Sequence, residues 1–266
     1  MTDDKNVKNP LVTQEGAVTI VSINKPPWNP MSMEFFDKLE RLISKLATDQ
    51  SVRAIVITAE GEDNFSVGMD LKQMAKAGGK PKRMHEILDQ RLRVESVIEN
   101  MGKPVIATLF GYCLGGGLEL PLACHFRLAA EEGAKIGLPE MDLGTVPAWG
   151  GTARLTRCVG RMYALDMILR GRKISGQEAY RIGLVTEVVP NEELKNRALE
   201  LAKELSEMPA LAVSEVIRCV VGYGDRPLQE GLYQERQSVL TTMGTKDSQE
   251  GMMAFLQKRK PKFNQP

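Results

Sequence analysis

The stretch Lys103–Glu140, KPVIATLFGYCLGGGLELPLACHFRLAAEEGAKIGLPE, carries the decisive reading. Val105–Phe110 is an unbroken apolar run, the pattern of a strand buried on both faces. It stops at Gly111. Three glycines, Gly115–Gly116–Gly117, then open an apolar segment holding one acid, Glu119, and a second acid, Glu140, follows Pro139. Glycines in a row let backbone N–H groups approach a ligand with no Cβ in the way. A helix starting there points its unpaired N–H groups and the positive end of its dipole at the same place. Such a place stabilises an anion, including one that exists only in a transition state. Two nearby carboxylates add acid–base chemistry.

On the N-terminal side, Gly16–Ile23 alternates and is rich in β-branched residues, so it reads as a strand. Asn24–Pro30 has three prolines and cannot be regular structure. Ser32 is placed to cap a helix with the stripe Phe35, Leu39, Leu42, Ile43 and Leu46. Arg53–Thr58 is a second short apolar strand. Strand, helix and buried strand in that order predict a parallel sheet. Phe65–Lys72 is a glycine-containing loop passing into a helix start, and Ala77–Lys82 a further loop. A long helix follows, with Met84, Leu88, Val94, Ile98 and Met101 on or near one face, until Lys103–Pro104 stops it.

On the C-terminal side, Met141–Gly151 reads as loop and Thr152 to about Val159 as helix. Ser175–Glu178 has capping-box form, with Gly183 ending that helix. Leu184–Val189 is a last strand. Beyond it the chain reads as helices, capped or preceded by Asn191, Pro209, Pro227 and Asp247. The division is therefore 1–189, a strand-rich core, and 190–266, a helical region whose apolar faces suit a neighbouring subunit.

At 266 residues, with 35 basic and 34 acidic side chains, the chain has a net charge of +1. That balance argues against a dedicated nucleic-acid binder or a polybasic membrane protein. No apolar run is long enough to span a bilayer, and MTDDKNVKNP has no signal-type apolar region. The four cysteines, Cys113, Cys124, Cys158 and Cys219, form no CxxC pair and read as free thiols in a reducing compartment. The expected location is cytoplasmic, an organelle matrix fitting equally well. Two isolated histidines, His85 and His125, predict no metal site.

Gly111–Glu119, followed by Gly137–Glu140 and Gly150–Leu155, closely resembles the crotonase (enoyl-CoA hydratase/isomerase) superfamily. The resemblance runs over nearly the whole chain, including Ser66–Leu71, Ile174–Ala179, Gly183–Val185 and Glu250–Arg259. It implies an α/β crotonase-like spiral of ββα units with a helical C-terminal trimerisation region. It also implies an acyl-CoA substrate, with coenzyme A as part of that substrate and no further cofactor, and a homotrimer or dimer of trimers. Superfamily members share an enolate of an acyl-CoA thioester, whose oxygen needs two preset donors. By resemblance these are the backbone N–H groups of Met69 and Gly116.

Hydratases of the superfamily have glutamates at two positions, matched here by Glu119 and Glu140. The resemblance assigns Glu119 to the water and Glu140 to the α-proton, and so predicts reversible hydration of an α,β-unsaturated acyl-CoA. It places Lys25, Trp28, Asp70, Leu71, Lys72, Trp149, Lys258 and Arg259 near the acyl or CoA moiety. Trp149 stands where a small residue is common, and His125 where many relatives have Asp. The scaffold also runs enoyl-CoA isomerisation and β-diketone hydrolysis, and some relatives bind RNA. Each of these residues has a plainer reading too. Asp70 suits a helix cap, Trp149 suits ordinary core, and Lys258 and Arg259 suit a solvated helix end.

Overall fold

The computed structural model describes residues 8–77 and 81–265. Strand β1 (Leu11–Glu15) turns through Gly16 into β2 (Val18–Ile23), antiparallel to it. β1 went unread in the sequence because both its faces are largely exposed and carry no core signal. Helix α1 (Met33–Thr48) starts as expected at Ser32, whose Oγ accepts the Phe35 N–H at 3.1 Å. Its buried stripe is Phe35, Phe36, Leu39, Ile43 and Leu46, each such burial contributing roughly 1.5–3 kcal/mol. β3 (Ala54–Ala59) then lies parallel to β2.

Two helices follow, α2 (Leu71–Ala77) and α3 (Pro81–Glu99). The centre of the Ala77–Lys82 loop, residues 78–80, lies outside the described residues, as does the N-terminal stretch 1–7. α3 packs against α1 and buries Val94 and Ile98. β4 (Val105–Leu109) runs parallel to β3, and every residue of both strands is buried. Their only hydroxyls, Thr58 and Thr108, bond each other at 2.7 Å.

β5 (Tyr112–Leu114), α4 (Gly116–Leu122), β6 (Phe126–Ala130) and β7 (Lys135–Gly137) come in quick succession. β6 joins the main sheet beside β4, while β5 and β7 pair as a separate parallel two-stranded sheet. The expected loop from Met141 opens as part of a 3₁₀ turn, Glu140–Leu143, closed by Gly144 at φ 67°. α5 (Gly151–Leu169) outruns its expected end near Val159. Gly160, at φ 78° and ψ 164°, breaks it, and the helix resumes because Ala164 and Met167 still face the core.

α6 (Gly176–Arg181) has half a capping box. Ser175 Oγ accepts the Glu178 N–H at 3.2 Å, but the Glu178 carboxylate turns to Arg181. β8 (Glu187–Val189) is shorter than the expected strand, since Leu184 N–H bonds Ala179 O instead of a neighbouring strand. The main sheet has the order β1-β2-β3-β4-β6-β8 and is parallel except at β1.

α7 (Leu194–Ser206) lies on this sheet against β2, β3, β4 and β6, so sheet packing continues past Val189. Its N-cap is Glu193 and not Asn191. The Asn191 amide is drawn away to the Glu132 N–H and carbonyl, both at 3.1 Å. α8 (Ala210–Ile217) runs into a π-turn at Arg218–Gly222, followed by α9 (Leu228–Thr242) and α10 (Lys246–Leu256). These last helices expose Val216, Val220, Leu240, Met243 and Phe255. Among the described residues no helix is long and apolar enough to cross a membrane.

Candidate active site

The head of α4 is assembled by contacts that exclude side chains. A Cβ on Gly116 would stand 2.0 Å from Trp149 Cζ3, and one on Gly117 2.3 Å from the Ser66 carbonyl. A Cβ on Gly68 would reach the Leu114 carbonyl at 2.6 Å and Gly116 N at 3.0 Å. The 66–68 loop and the head of α4 therefore meet backbone to backbone, with the Trp149 ring seated on Gly116. The 66–70 loop is laced in place on both sides. Ser66 N–H donates to Tyr112 O and Leu114 N–H to Ser66 O, while Met31 N–H donates to Gly68 O and Asp70 N–H to Met31 O. The Met69 N–H stands between the last two bonds and joins neither. Gly116 is the first residue of α4, so its N–H has no partner within the helix. The Leu118 and Glu119 N–H groups return to Gly115 O at 2.7 and 2.9 Å.

Both acids lie at this head, Glu119 in its first turn and Glu140 against Gly115. Glu119 is 3% exposed, and its Oε1 accepts both the Trp149 N–H at 2.8 Å and the Gly151 N–H at 2.9 Å. Burial pushes its carboxyl up to about 7, the two N–H bonds pull against that, and Glu140 adds a further upward push. Glu140 leaves the 3₁₀ turn towards Gly115, where a Cβ would lie 2.9 Å from Oε1. Burial raises the Glu140 carboxyl as well, and its buried Oε2 has no hydrogen-bond partner among the described residues. An unpartnered buried carboxyl oxygen is costly to keep and marks a position meant for something else.

Trp149 is buried and lies edge-on to Phe36, with ring centroids 5.0 Å apart, over the Gly116 backbone. The structure thus brings together Glu119, Glu140, Gly116, Met69 and Trp149. Asp70 sits at the entrance to α2, where its Oδ1 accepts the Lys72 and Gln73 N–H groups as a cap. Leu71 and Lys72 follow it, both exposed. Lys25 and Trp28 are exposed on the proline loop, Trp28 stacked on Tyr112 at 6.0 Å. Lys258 and Arg259 stand apart beyond α10. Arg259 is held by both oxygens of Glu250, at 2.6 and 2.8 Å, and among the described residues no bond or ion pair links either residue to Glu119 or Glu140.

Several residues that shape the site were not legible in the sequence. Asn29, fully buried at φ 47°, ties the proline loop to the 60–66 segment. Its amide donates to Glu60 O and Asn64 O, and its carbonyl accepts from Ser66 Oγ. Arg91 and Glu95 on α3 are wholly buried charges whose one-dimensional pattern is that of an ordinary solvated helix. His125 ties two backbone segments together. Its Nδ1 accepts the Val105 N–H at 3.0 Å, and its Nε2 meets Glu99 O at 3.2 Å. Cys113 and Cys124 are buried, and burial raises both thiols, Cys124 to about 12, so neither is a ready nucleophile.

A sheet parallel except at its β1 edge, with a glycine-headed helix beside two carboxyls raised by burial, fits the crotonase class of fold. The family follows from comparison. The profile of the enoyl-CoA hydratase/isomerase family matches residues 13–266, and the chain belongs to that family. It is 36% identical to a probable enoyl-CoA hydratase of Bacillus subtilis, over 92% of this chain and 95% of that one. It is also 36% identical to the 2,3-dehydroadipyl-CoA hydratase of Escherichia coli, over 95% and 97%. Among solved structures, an enoyl-CoA hydratase from Geobacillus kaustophilus superposes with a TM-score of 0.92 at 30% identity, covering 97% of this chain and 98% of that one.

Proposed function

We propose that this enzyme adds water reversibly across the conjugated double bond of an α,β-unsaturated acyl-CoA, giving the β-hydroxyacyl-CoA. The observation that carries the reading is the convergence of two raised carboxyls on one glycine-built helix head. In this mechanism the thioester oxygen lies between the Met69 and Gly116 N–H groups. Enolate charge grows there against fixed dipoles that need no reorganisation. Glu119 is fixed through Oε1, which leaves Oε2 to take a proton from water as the oxygen attacks the β-carbon. Glu140, whose carboxyl burial raises, delivers its proton to the α-carbon, and dehydration reverses both roles. Backbone dipoles hold the charge, so the scheme calls on no metal and no cofactor beyond the CoA of the substrate.

The indole of Trp149 walls the acyl site beside Gly116 and favours a short or flat acyl group over a long flexible one. The exposed apolar residues of α8, α9 and α10 fit a homotrimer or a dimer of trimers. Lys258 and Arg259 would serve CoA phosphates in such an assembly, beside Lys25, Trp28, Asp70, Leu71 and Lys72 at the entrance. Sedimentation checks the assembly. Free buried thiols suit a reducing cytoplasm or organelle matrix.

The decisive experiment follows the loss of conjugated-thioester absorbance with crotonyl-CoA, branched and aryl enoyl-CoAs, and the dehydroadipyl thioester for which the E. coli relative is named. Turnover of at least one, with the β-hydroxy product identified, supports hydration. A shifted double bond or a cleaved diketone as the sole product transfers the site to isomerase or hydrolase chemistry.

A further inference from the structure

The segment Trp149–Gly151 is gripped from two directions. Its Trp149 and Gly151 N–H groups both hold Glu119 Oε1. Two of its three carbonyls are held by residue 154: Arg154 Nη1 donates to Trp149 O at 3.0 Å, and the Arg154 N–H donates to Gly150 O at 2.8 Å. Gly150 is at φ 96°, and a Cβ there would lie 2.1 Å from Arg154 Nη1. The guanidinium therefore rests directly on the backbone that aims the glutamate.

A guanidinium at this depth requires anions. Arg154 finds Glu95 Oε2 at 2.6 Å and Glu99 Oε2 at 2.9 Å, both one helix away on α3. Glu95 is wholly buried. The C-terminal end of α3 is itself tied to the start of β4 through His125. We propose that Arg154, anchored by Glu95 and Glu99, is a positioning residue that fixes the Trp149–Gly151 backbone and so aims the Glu119 carboxylate. The inference rests on the reading of Glu119 as the group that handles water.

An apolar filling would hold α3 against α5 at least as well as this ion pair, because burying charges forfeits their hydration. The arrangement also carries an excess of acid. Glu95 Oε1 and Arg154 Nε have no hydrogen-bond partner among the described residues, an expensive state for packing alone. The charged groups facing Glu119 are Glu140 from the 3₁₀ turn, Arg154 from α5 and Glu95 from α3. Behind them, Glu99 and Arg91 face Glu95. Burial, and then Glu119, raise the Glu95 carboxyl, while Arg154 lowers both acids. One cation thus holds the backbone that Glu119 bonds and also lowers the Glu119 carboxyl, against the larger upward push of burial.

The test compares wild type, Arg154→Met and the charge-neutral double variant Arg154→Met/Glu95→Gln. It uses kcat and KM on crotonyl-CoA, thermal midpoints, and ¹³C titration of the Glu119 carboxyl, assigned by its loss in Glu119→Gln. In Arg154→Met, kcat falls roughly 10–100-fold, the scale of a misplaced reacting group, with KM nearly unchanged. The Glu119 titration moves above its wild-type midpoint. The double variant regains the thermal midpoint without regaining kcat. A double variant that regains both, or an unmoved Glu119 titration in Arg154→Met, overturns the proposal. The carboxyl titration needs no substrate. If Glu119→Gln hydrates like wild type, the base assignment falls, and the titration still decides whether Arg154 governs Glu119.

Discussion

Glu119 and Glu140 face the same helix head, yet they are held in opposite ways. Glu119 comes from the first turn of α4 and has one oxygen locked by two backbone N–H groups. Glu140 comes from a 3₁₀ turn closed by Gly144, and its buried Oε2 is unpartnered among the described residues. The locked acid suits a water that must be met at one fixed point. The loosely held acid suits a carbon that arrives with each substrate. In the proposed mechanism, the way each side chain is held divides the labour between two chemically identical groups.

The largest test of that division is to neutralise each acid. Glu119→Gln and Glu140→Gln each lower kcat for hydration by about 10²–10⁴-fold, the usual scale of general acid–base catalysis, with circular dichroism unchanged. Full activity in either variant would remove that glutamate from the chemistry. Next comes the surface both acids share. Gly116→Ala drives a methyl group into Trp149 and lowers kcat by roughly 10²–10³-fold through loss of oxyanion alignment. Adding Trp149→Ala to it recovers the thermal midpoint in a melt.

Protonation sharpens the contrast at smaller scale. Glu119 must be ionised to accept a proton, so kcat/KM for hydration falls as pH drops through about 7. Stability runs the other way. A carboxyl raised above its ordinary value stabilises the fold in its protonated form. That contribution is complete below the ordinary carboxylate range and is lost as pH rises through about 7. Glu119→Gln therefore melts higher than wild type above about 7, and the gap closes in acid. The smallest effect lies far from both acids. Ser32→Ala removes the α1 cap at a cost of about 1 kcal/mol in denaturant unfolding and leaves kcat unchanged.

Legibility in the sequence followed burial and periodicity. α1 and the strands β3 and β4 were readable because a cap, a stripe and unbroken apolar runs are local signals. β1, β5 and β7 were not, since an exposed edge and three-residue pairings depend on distant partners. α5 hid behind Gly160, whose positive φ breaks the helix without ending it. At the site, the glycine triplet and the two glutamates were picked out through the family resemblance, since the triplet alone reads equally as a close-packed turn. Arg91, Glu95 and Asn29 did not, because a buried charge or a left-handed asparagine looks like surface until its neighbours are known.

The seating of the Trp149 ring on Gly116 also orders the steps by which the pocket can change over generations. A side chain larger than hydrogen at 116 has no room while the indole is present, so any lineage that alters 116 must first pass through a smaller residue at 149. The reverse path is open, because shrinking 149 obstructs nothing. The two positions, 33 residues apart in the chain, are therefore coupled in one order: 116 is closed to any side chain while the indole stands at 149 and opens only once 149 has become smaller.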